Sequence, residues 1–288
     1  MGTTQPRTDP DMDAAFGNTR IAFVGGGNMA RALVAGLLRQ GATAARIGIG
    51  EPDAAQRAAL ERDFGLIASA ENAAAVTGAQ CVVLAVKPQE MAHVAQDLAP
   101  RIAAGTLLLS VAAGITVGDL ARWYPVAAVV RAMPNRPALL GAGVTGLYAP
   151  NGSDAAARSL ADAVMSAAGR TVWVQREADL DTVTAVSGSG PAYFFLLAEQ
   201  MAAAGVALGL DPDAAQLLAA ETLYGAGQLA HADPALDRQR SAVTSKGGTT
   251  EAALARFAAG GFDTLVRAAV EAAARRSAEL ARQFGSGN

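Results

Sequence analysis

Arg20-Ile21-Ala22-Phe23-Val24-Gly25-Gly26-Gly27-Asn28-Met29-Ala30 is the stretch on which the reading of the whole chain turns. An apolar run of strand-forming residues breaks into glycines and leads directly into the helical pattern Arg31-Ala32-Leu33-Val34-Ala35-Gly36-Leu37-Leu38. That order is the strand, turn and helix of a dinucleotide-binding unit with the spacing G-x-G-x-x-A. Gly25 allows the tight turn, and Gly27 lets the backbone approach a pyrophosphate. Ala30 keeps the helix close to the strand. The helix start, with Asn28 and Met29, offers unpaired N–H groups and partial positive charge to phosphates. Glycines alone would equally suit a structural turn; the strand before and the helix after decide for a nucleotide.

Working outward, 288 residues are enough for a large core and suggest two domains. The composition is 51% hydrophobic but only 5% aromatic, so the apolar mass is mostly Ala, Val and Leu, suited to closely packed helices. The net charge is −3 and no Lys/Arg run stands out, which argues against nucleic acid or an anionic membrane surface as partner. Cys81 is the only cysteine, so no intrachain disulfide forms, and its place in an apolar run reads as a structural thiol in a reducing compartment. No apolar run reaches the roughly 18 residues of a membrane span. Residues 1–18 are polar, lack a secretory core and read as a disordered tail. The expected location is the cytoplasm.

In the first half, Arg46-Ile47-Gly48-Ile49-Gly50 reads as a second strand ending in Glu51-Pro52-Asp53. An acid about 20 residues beyond the glycines commonly holds the adenosine ribose and favours NAD, a place that Glu51 fits. Arg57 nearby could instead meet a 2′-phosphate, and Glu51 could equally be a solvated helix-start acid. The choice between NADPH and NADH stays open on the residues. Ala79 to Val86 is an unbroken apolar run, as in a parallel strand covered on both faces, and ends in Lys87-Pro88-Gln89. Further strands, Thr106 to Val111 and Val126 to Arg131, end in Ala112-Ala113-Gly114 and Ala132-Met133-Pro134-Asn135. Small and polar residues thus recur at the carboxyl ends of strands, where open α/β sheets bind ligands. Thr171 to Val174 is the last strand expected.

From Glu177 the pattern is helical to the end. Val186-Ser187-Gly188-Ser189-Gly190-Pro191-Ala192-Tyr193 interrupts it with small residues that permit close approach. The runs Phe194 to Val206 and Ala214 to Leu229 are apolar on more than one face and require burial. A segment this short buries them most economically against a second copy, so a dimer is expected. Val243-Thr244-Ser245-Lys246-Gly247-Gly248-Thr249-Thr250-Glu251 then precedes a helix that Thr249 or Thr250 would cap. Its N–H groups would form a nest for a carboxylate, although an ordinary N-cap loop has the same sequence character.

Taken together, these motifs resemble the pyrroline-5-carboxylate reductase family. The resemblance rests on Phe23 to Ala30, Ala85-Val86-Lys87-Pro88-Gln89, Ala112-Ala113-Gly114, Arg131 to Asn135, Thr184 to Tyr193 and Ser245 to Thr250, in order from about Ile21 to about Leu280. It implies an α/β chain in which a Rossmann domain is followed by an all-helical domain that interlocks with its partner, with dimers often forming a ring-like decamer. The division expected is a tail over 1–18, an NAD(P)-binding domain over 19–175, and a substrate-binding and dimerisation domain over 176–288. The implied reaction reduces 1-pyrroline-5-carboxylate to L-proline with NADPH or NADH. Ser245 and the backbone of Gly247, Gly248 and Thr249 would hold the substrate carboxylate, and the Thr250 hydroxyl would sit near the ring nitrogen. Gly25, Gly27, Asn28, Met29 and Ala30 would meet the cofactor phosphates, and Asn72 the adenosine ribose. Ala85, Val86, Lys87, Pro88, Ala112 and Asn135 would surround the nicotinamide end.

A protonated cyclic imine is already electrophilic, so its reduction needs orientation more than a strong base. A related β-hydroxyacid dehydrogenase family has a lysine in the helix after a similar Gly-x-Gly; here Phe194 holds that place, and oxidising an alcohol without a base is hard. His93 and His231 fall outside every motif, as do Glu199 and Asp181, and no metal site is indicated. The chain departs from the family pattern at Lys246, usually proline, and at Arg136, usually threonine. The competing readings are a reductase of another cyclic imine, a β-hydroxyacid-type dehydrogenase, and a dinucleotide-binding dimer without turnover.

Overall fold

The apolar runs of the first half become an eight-stranded sheet in the computed structural model, which describes Phe16 and residues 18–285. Strands β1 (Ile21–Val24), β2 (Ile47–Gly50), β3 (Ala68–Ser69), β4 (Cys81–Leu84), β5 (Leu107–Ser110) and β6 (Ala128–Met133) run parallel in the spatial order β3-β2-β1-β4-β5-β6. Beyond them β7 (Gly143–Tyr148) pairs antiparallel with β6, and β8 (Gly169–Trp173) runs parallel to β7. The chain reverses its direction of travel across the sheet between β1 and β4, which opens a crevice at their carboxyl ends.

Alternation along each strand sends successive side chains to opposite faces, and both faces are covered. One layer takes Ile21, Phe23, Cys81, Val83, Leu107 and Leu109 with Leu33 and Leu37 of α1 (Asn28–Arg39) and Val164 and Met165 of α6 (Ala155–Ser166). The other takes Ala22, Val24, Val82, Leu84 and Leu108 with Leu98 of α4 (Met91–Leu98) and Leu120 of α5 (Val117–Trp123). Every residue of β1, β2, β4 and β5 is buried. Each large aliphatic or Phe so placed contributes about 1.5–3 kcal/mol. Helices α2 (Ala54–Phe64) and α3 (Asn72–Val76) complete the connections on the β2 and β3 side.

Two strands were not anticipated. Strand β3 has only two residues, and β7 is the glycine-bearing segment Gly143-Val144-Thr145-Gly146-Leu147-Tyr148, held in the sheet by pairs such as Ala132 with Leu147. The strand expected over Val126–Arg131 starts and ends two residues later, since Val126 is exposed while Ala132 is buried. Most of the polar stretch 1–18 lies outside the described residues. Within it, Phe16 is buried against the first layer, and Asn18 accepts from the Arg46 guanidinium.

The packing divides the chain into two units, Met1–Gly188 with Ala274–Asn288, and Ser189–Ala273. The first also contains α7 (Asp179–Val183) and a π-helical turn over Thr184–Gly188, the form taken by the small-residue interruption. The second is helical: α8 (Gly190–Ala207), α9 (Pro212–Ala232), α10 (Leu236–Ala242), α11 (Thr249–Ala259) and the first half of α12 (Phe262–Gly285). Its buried cluster consists of Ala202, Ala215 and Ala219 where α8 meets α9. Phe194, Phe195, Leu196, Leu217, Leu218 and Tyr224 stay exposed, at 60% for Phe195 and 62% for Leu217. This unit does not cover its own apolar residues.

Candidate active site

In the first unit the sheet register brings the expected cofactor residues to one edge. Val24 pairs with Leu84, Leu84 with Ser110, and Ser110 with Arg131, so the loops at Gly25, Ala85, Ala112 and Asn135 leave the sheet side by side. Gly25 has φ +93°, and a Cβ there would lie 2.8 Å from the Ala85 carbonyl oxygen. Only glycine fits that turn. A Cβ at Gly27 would meet nothing within 4 Å, so the space in front of the helix is open.

Helices α2, α5, α6 and α9 are capped by Asp53, Thr116, Asp154 and Asp211. Helix α1 is not: Gly27 is its N-cap, no side chain caps it, and its first turn carries no acid. Its leading N–H groups, at Asn28, Met29 and the buried Ala30, are left for an anion. Asn72 opens α3 with its Oδ1 buried, without a hydrogen-bond partner, and against Gly50 at the end of β2. An orphaned buried acceptor beside an open, uncapped helix start fits a dinucleotide.

Two expected residues have tasks the sequence did not reveal. Glu51 is 6% exposed and faces inward, its Oε2 accepting from Gly26 N–H at 2.8 Å and its Oε1 from Asp53 N–H at 2.9 Å. Asn135 is buried; its Oδ1 accepts from Val144 N–H at 3.0 Å and its Nδ2 donates to the Ser187 carbonyl at 3.2 Å. It braces the end of β6 against the start of β7 and the π turn. Arg131 and Glu177 add a second brace: Glu177 Oε1 accepts from Arg131 Nη1 and from Val117 N–H, each at 2.6 Å. Residues Ala85 and Val86 are half-buried, Lys87 is exposed, Pro88 is half-buried, and Ala112 is buried. Asp181, without an assigned partner in the sequence, accepts from Ser277 Oγ at 2.6 Å.

In the second unit Ser245 to Gly248 is a tight turn, with Gly248 N–H donating to the Ser245 carbonyl at 3.0 Å and Gly247 at φ +72°. A left-handed third residue is the mark of a type II turn, whose second position, here Lys246, favours proline. The N-cap of α11 is Gly248, with no side-chain cap. Thr249 and Thr250 therefore lie inside the first turn rather than capping it, because the glycine takes the extended cap conformation (φ −86°, ψ 174°). Of the backbone donors expected for a carboxylate, Gly247 N–H is held by Glu251 Oε2 at 2.7 Å and Gly248 N–H closes the turn. The Thr249 amide opens the helix. Glu251, the third residue of α11, reaches back past the N-cap to that Gly247 amide.

Burial pushes the Cys81 thiol up to about 12, and burial also raises the Tyr124 hydroxyl above the ordinary tyrosine range. Neither lies at the sheet edge. Among the described residues no group of His, Cys, Asp and Glu could hold a metal ion, and no helix is long and apolar enough to cross a membrane.

A largely parallel sheet in Rossmann order with an uncapped helix after β1, followed by a helical segment, defines a dinucleotide-binding protein. Family models agree. Residues 20–114 match "NADP oxidoreductase coenzyme F420-dependent", and residues 177–280 match "Pyrroline-5-carboxylate reductase dimerisation". A pyrroline-5-carboxylate reductase of Pseudomonas aeruginosa is 49% identical over 270 residues, covering 92% of this chain and 98% of the relative. One of Haemophilus influenzae is 42% identical over 267 residues with the same coverage. Among solved structures, a pyrroline-5-carboxylate reductase from Coxiella burnetii superposes with a TM-score of 0.87 at 36% identity, over 91% of this chain and 98% of that one. The Plasmodium falciparum pyrroline carboxylate reductase, solved with NADP bound, gives 0.76 at 26% identity over 92% and 98%. The chain belongs to the pyrroline-5-carboxylate reductase family.

Proposed function

We propose that the protein reduces 1-pyrroline-5-carboxylate to L-proline with NADPH or NADH, the last step of proline biosynthesis, and works as a homodimer. The observation that carries this reading is a pair of glycine-capped helix starts, α1 and α11, left without side-chain caps in a chain 49% identical to a pyrroline-5-carboxylate reductase. When bound, the reduced nicotinamide supplies the hydride. Residues 19–175 hold it: the N–H groups at Asn28, Met29 and Ala30 meet the pyrophosphate, and the Asn72 amide meets the adenosine ribose. Ala85, Val86, Lys87, Pro88 and Ala112 form the wall at the nicotinamide end, and Asn135 fixes that wall in place.

Residues 176–288 hold the imine and bring the second copy. Ser245 Oγ and the Thr249 amide bind the carboxylate, in a turn held to shape by the Glu251 bond to Gly247 N–H and by the Gly248 N–H bond to the Ser245 carbonyl. The Thr250 hydroxyl stands by the ring nitrogen, orients it and shares its proton. No strong base is required, because the protonated imine accepts hydride without one. The exposed apolar face of α8 and α9 is the surface the partner covers, and dimers assemble further into a ring-like decamer in the cytoplasm.

Turnover is tested by following loss of reduced nicotinamide absorbance with pyrroline-5-carboxylate and either cofactor. Substrate-dependent loss, lowered about a hundredfold by Thr250→Ala, is the expected result. Binding of cofactor with no oxidation by any cyclic imine would instead leave a dinucleotide-binding dimer without turnover.

A further inference from the structure

Ala112-Ala113-Gly114 follows β5 at the cofactor edge, and a segment from the far end of the chain holds this loop from behind. The two ends of the loop are tied by polar contacts. Ala112 N–H donates to Ser110 Oγ at 3.4 Å, and Val117 N–H donates to Glu177 Oε1 at 2.6 Å. Between those ties Gly114 is buried with φ +79°, and a Cβ there would lie 2.9 Å from Phe284 Cδ2 and 3.3 Å from the Ala281 backbone. The last turn of α12 is seated on the loop.

The second half of α12 belongs to the sheet unit, and its residue spacing explains the contact. Ser277, Ala281 and Phe284 stand four and three residues apart, which places them on one face of the helix. Ser277 Oγ donates to Asp181 Oδ1 at 2.6 Å and anchors that face to α7. Phe284, half-buried, carries the same face into the apolar layer that contains Leu84, Ala112 and Ile115, against which Val86 also packs. A terminal helix turn opens at little cost unless something ties it down. Here an aromatic ring supplies that tie, and what it rests on is the loop beside the nicotinamide end.

We infer that Phe284 is a positioning residue for hydride transfer, a clasp at the end of α12 that holds the loop after β5 and so sets Ala112 at the nicotinamide end. The inference rests on the reading of that edge as the nicotinamide site. Phe284 acts through Gly114 and Ala112, and the ring itself contributes nothing to the reacting atoms. Its influence is confined to one end of the crevice, because the glycine turn after β1 is braced separately by Glu51. The adenosine and pyrophosphate parts of a cofactor are therefore indifferent to the clasp.

Calorimetry on the full-length protein compares NADH with ADP-ribose and NADPH with 2′-phospho-ADP-ribose, ligands that keep adenosine and pyrophosphate but lack the nicotinamide. Turnover is followed with pyrroline-5-carboxylate. In Phe284→Ala the ADP-ribose ligands should bind as in the wild type, while the reduced cofactors bind more weakly. At saturating cofactor kcat should fall about 10- to 100-fold, the scale of a reacting group misplaced by about 1 Å. Phe284→Leu refills most of the contact and should restore most of the rate. A ring that served stability alone would lower the melting temperature and leave kcat and the affinities of the folded protein unchanged. That result, or equal weakening of the reduced cofactors and the ADP-ribose ligands, would overturn the inference. If Phe284→Ala does not fold, Phe284→Val and Phe284→Leu carry the test, with kcat expected to follow side-chain size while ADP-ribose affinity stays constant. Imine turnover in the wild type that Phe284→Ala leaves untouched would sink this inference alone. No turnover in the wild type, with only the reduced cofactors weakened by Phe284→Ala, would sink the reductase reading and leave the clasp standing.

Discussion

The two units of this chain solve the burial problem in opposite ways. In the sheet unit the apolar strands are sealed by helices on both faces, and Ile21, Phe23, Val83, Leu107 and Leu108 are buried by the unit's own residues. In the helical unit the buried cluster is three alanines, while Phe195 and Leu217 remain about as exposed as ordinary surface residues. Amphipathic helices need a covering partner for each apolar stripe, and helices apolar on several faces need more than one. The first unit is thus self-sufficient, and the second is half of an interface.

The largest effect should come from breaking that interface. Phe195→Asp or Leu217→Asp should dissociate the dimer in sedimentation velocity and lower stability by at least about 3 kcal/mol, from lost burial plus an unpaired charge. Ile67→Asp is the matched control, since Ile67 is 86% exposed on the sheet unit, and it should stay within about 0.5 kcal/mol of wild type. Dimers that survive Phe195→Asp and Leu217→Asp at wild-type stability would erase the contrast between the units. Next comes Gly25→Ala, which forces a left-handed residue against the Ala85 carbonyl. A loss of about 2 kcal/mol or more and at least tenfold weaker cofactor binding by calorimetry are expected.

Asn135→Ala should cost about 1–3 kcal/mol in denaturant unfolding by orphaning the Val144 amide and the Ser187 carbonyl. A smaller effect is expected at the turn before α11. Glu251→Ala should raise KM for the imine about two- to fivefold with little change in kcat, as an exposed bond worth about 0.5–1 kcal/mol is lost. Lys246→Pro should recover much of that by presetting the second residue of the type II turn. Additive effects of the two changes would mean that they act on different features. Smallest of all, the buried Cys81 should resist alkylation in the native state at pH 8. Its thiol stays protonated to about 12, so the stability it lends is complete below the unfolded value of 9.0 and is lost as pH rises towards 12. Rapid labelling of the folded protein would show that its burial is incomplete.

The contrast itself was visible in the chain. Continuous apolar runs ending in small residues gave the buried parallel strands and their shared edge, because burial on both faces leaves no polar alternation. The excess of apolar residues in the helical half gave the uncovered surface. What escaped was set by partners distant in sequence. Strand β7 is built from a segment with two glycines, which weaken a strand, and its pairing with β6 holds it in the sheet. Asn135 bonds to Val144 and Ser187, and Glu177 to Val117 and Arg131, none of which is marked by spacing.

Glu51 and Glu251 draw the final line. The sequence by itself determined that an acid stands after β2 and another three residues into α11, along with the glycine turns beside them, because propensity and periodicity act over a few residues. Only the tertiary structure decided which way those carboxylates turn. Glu51 points into the glycine turn and Glu251 back to Gly247, since a buried or helix-start N–H without a partner is costly enough to claim the nearest acceptor.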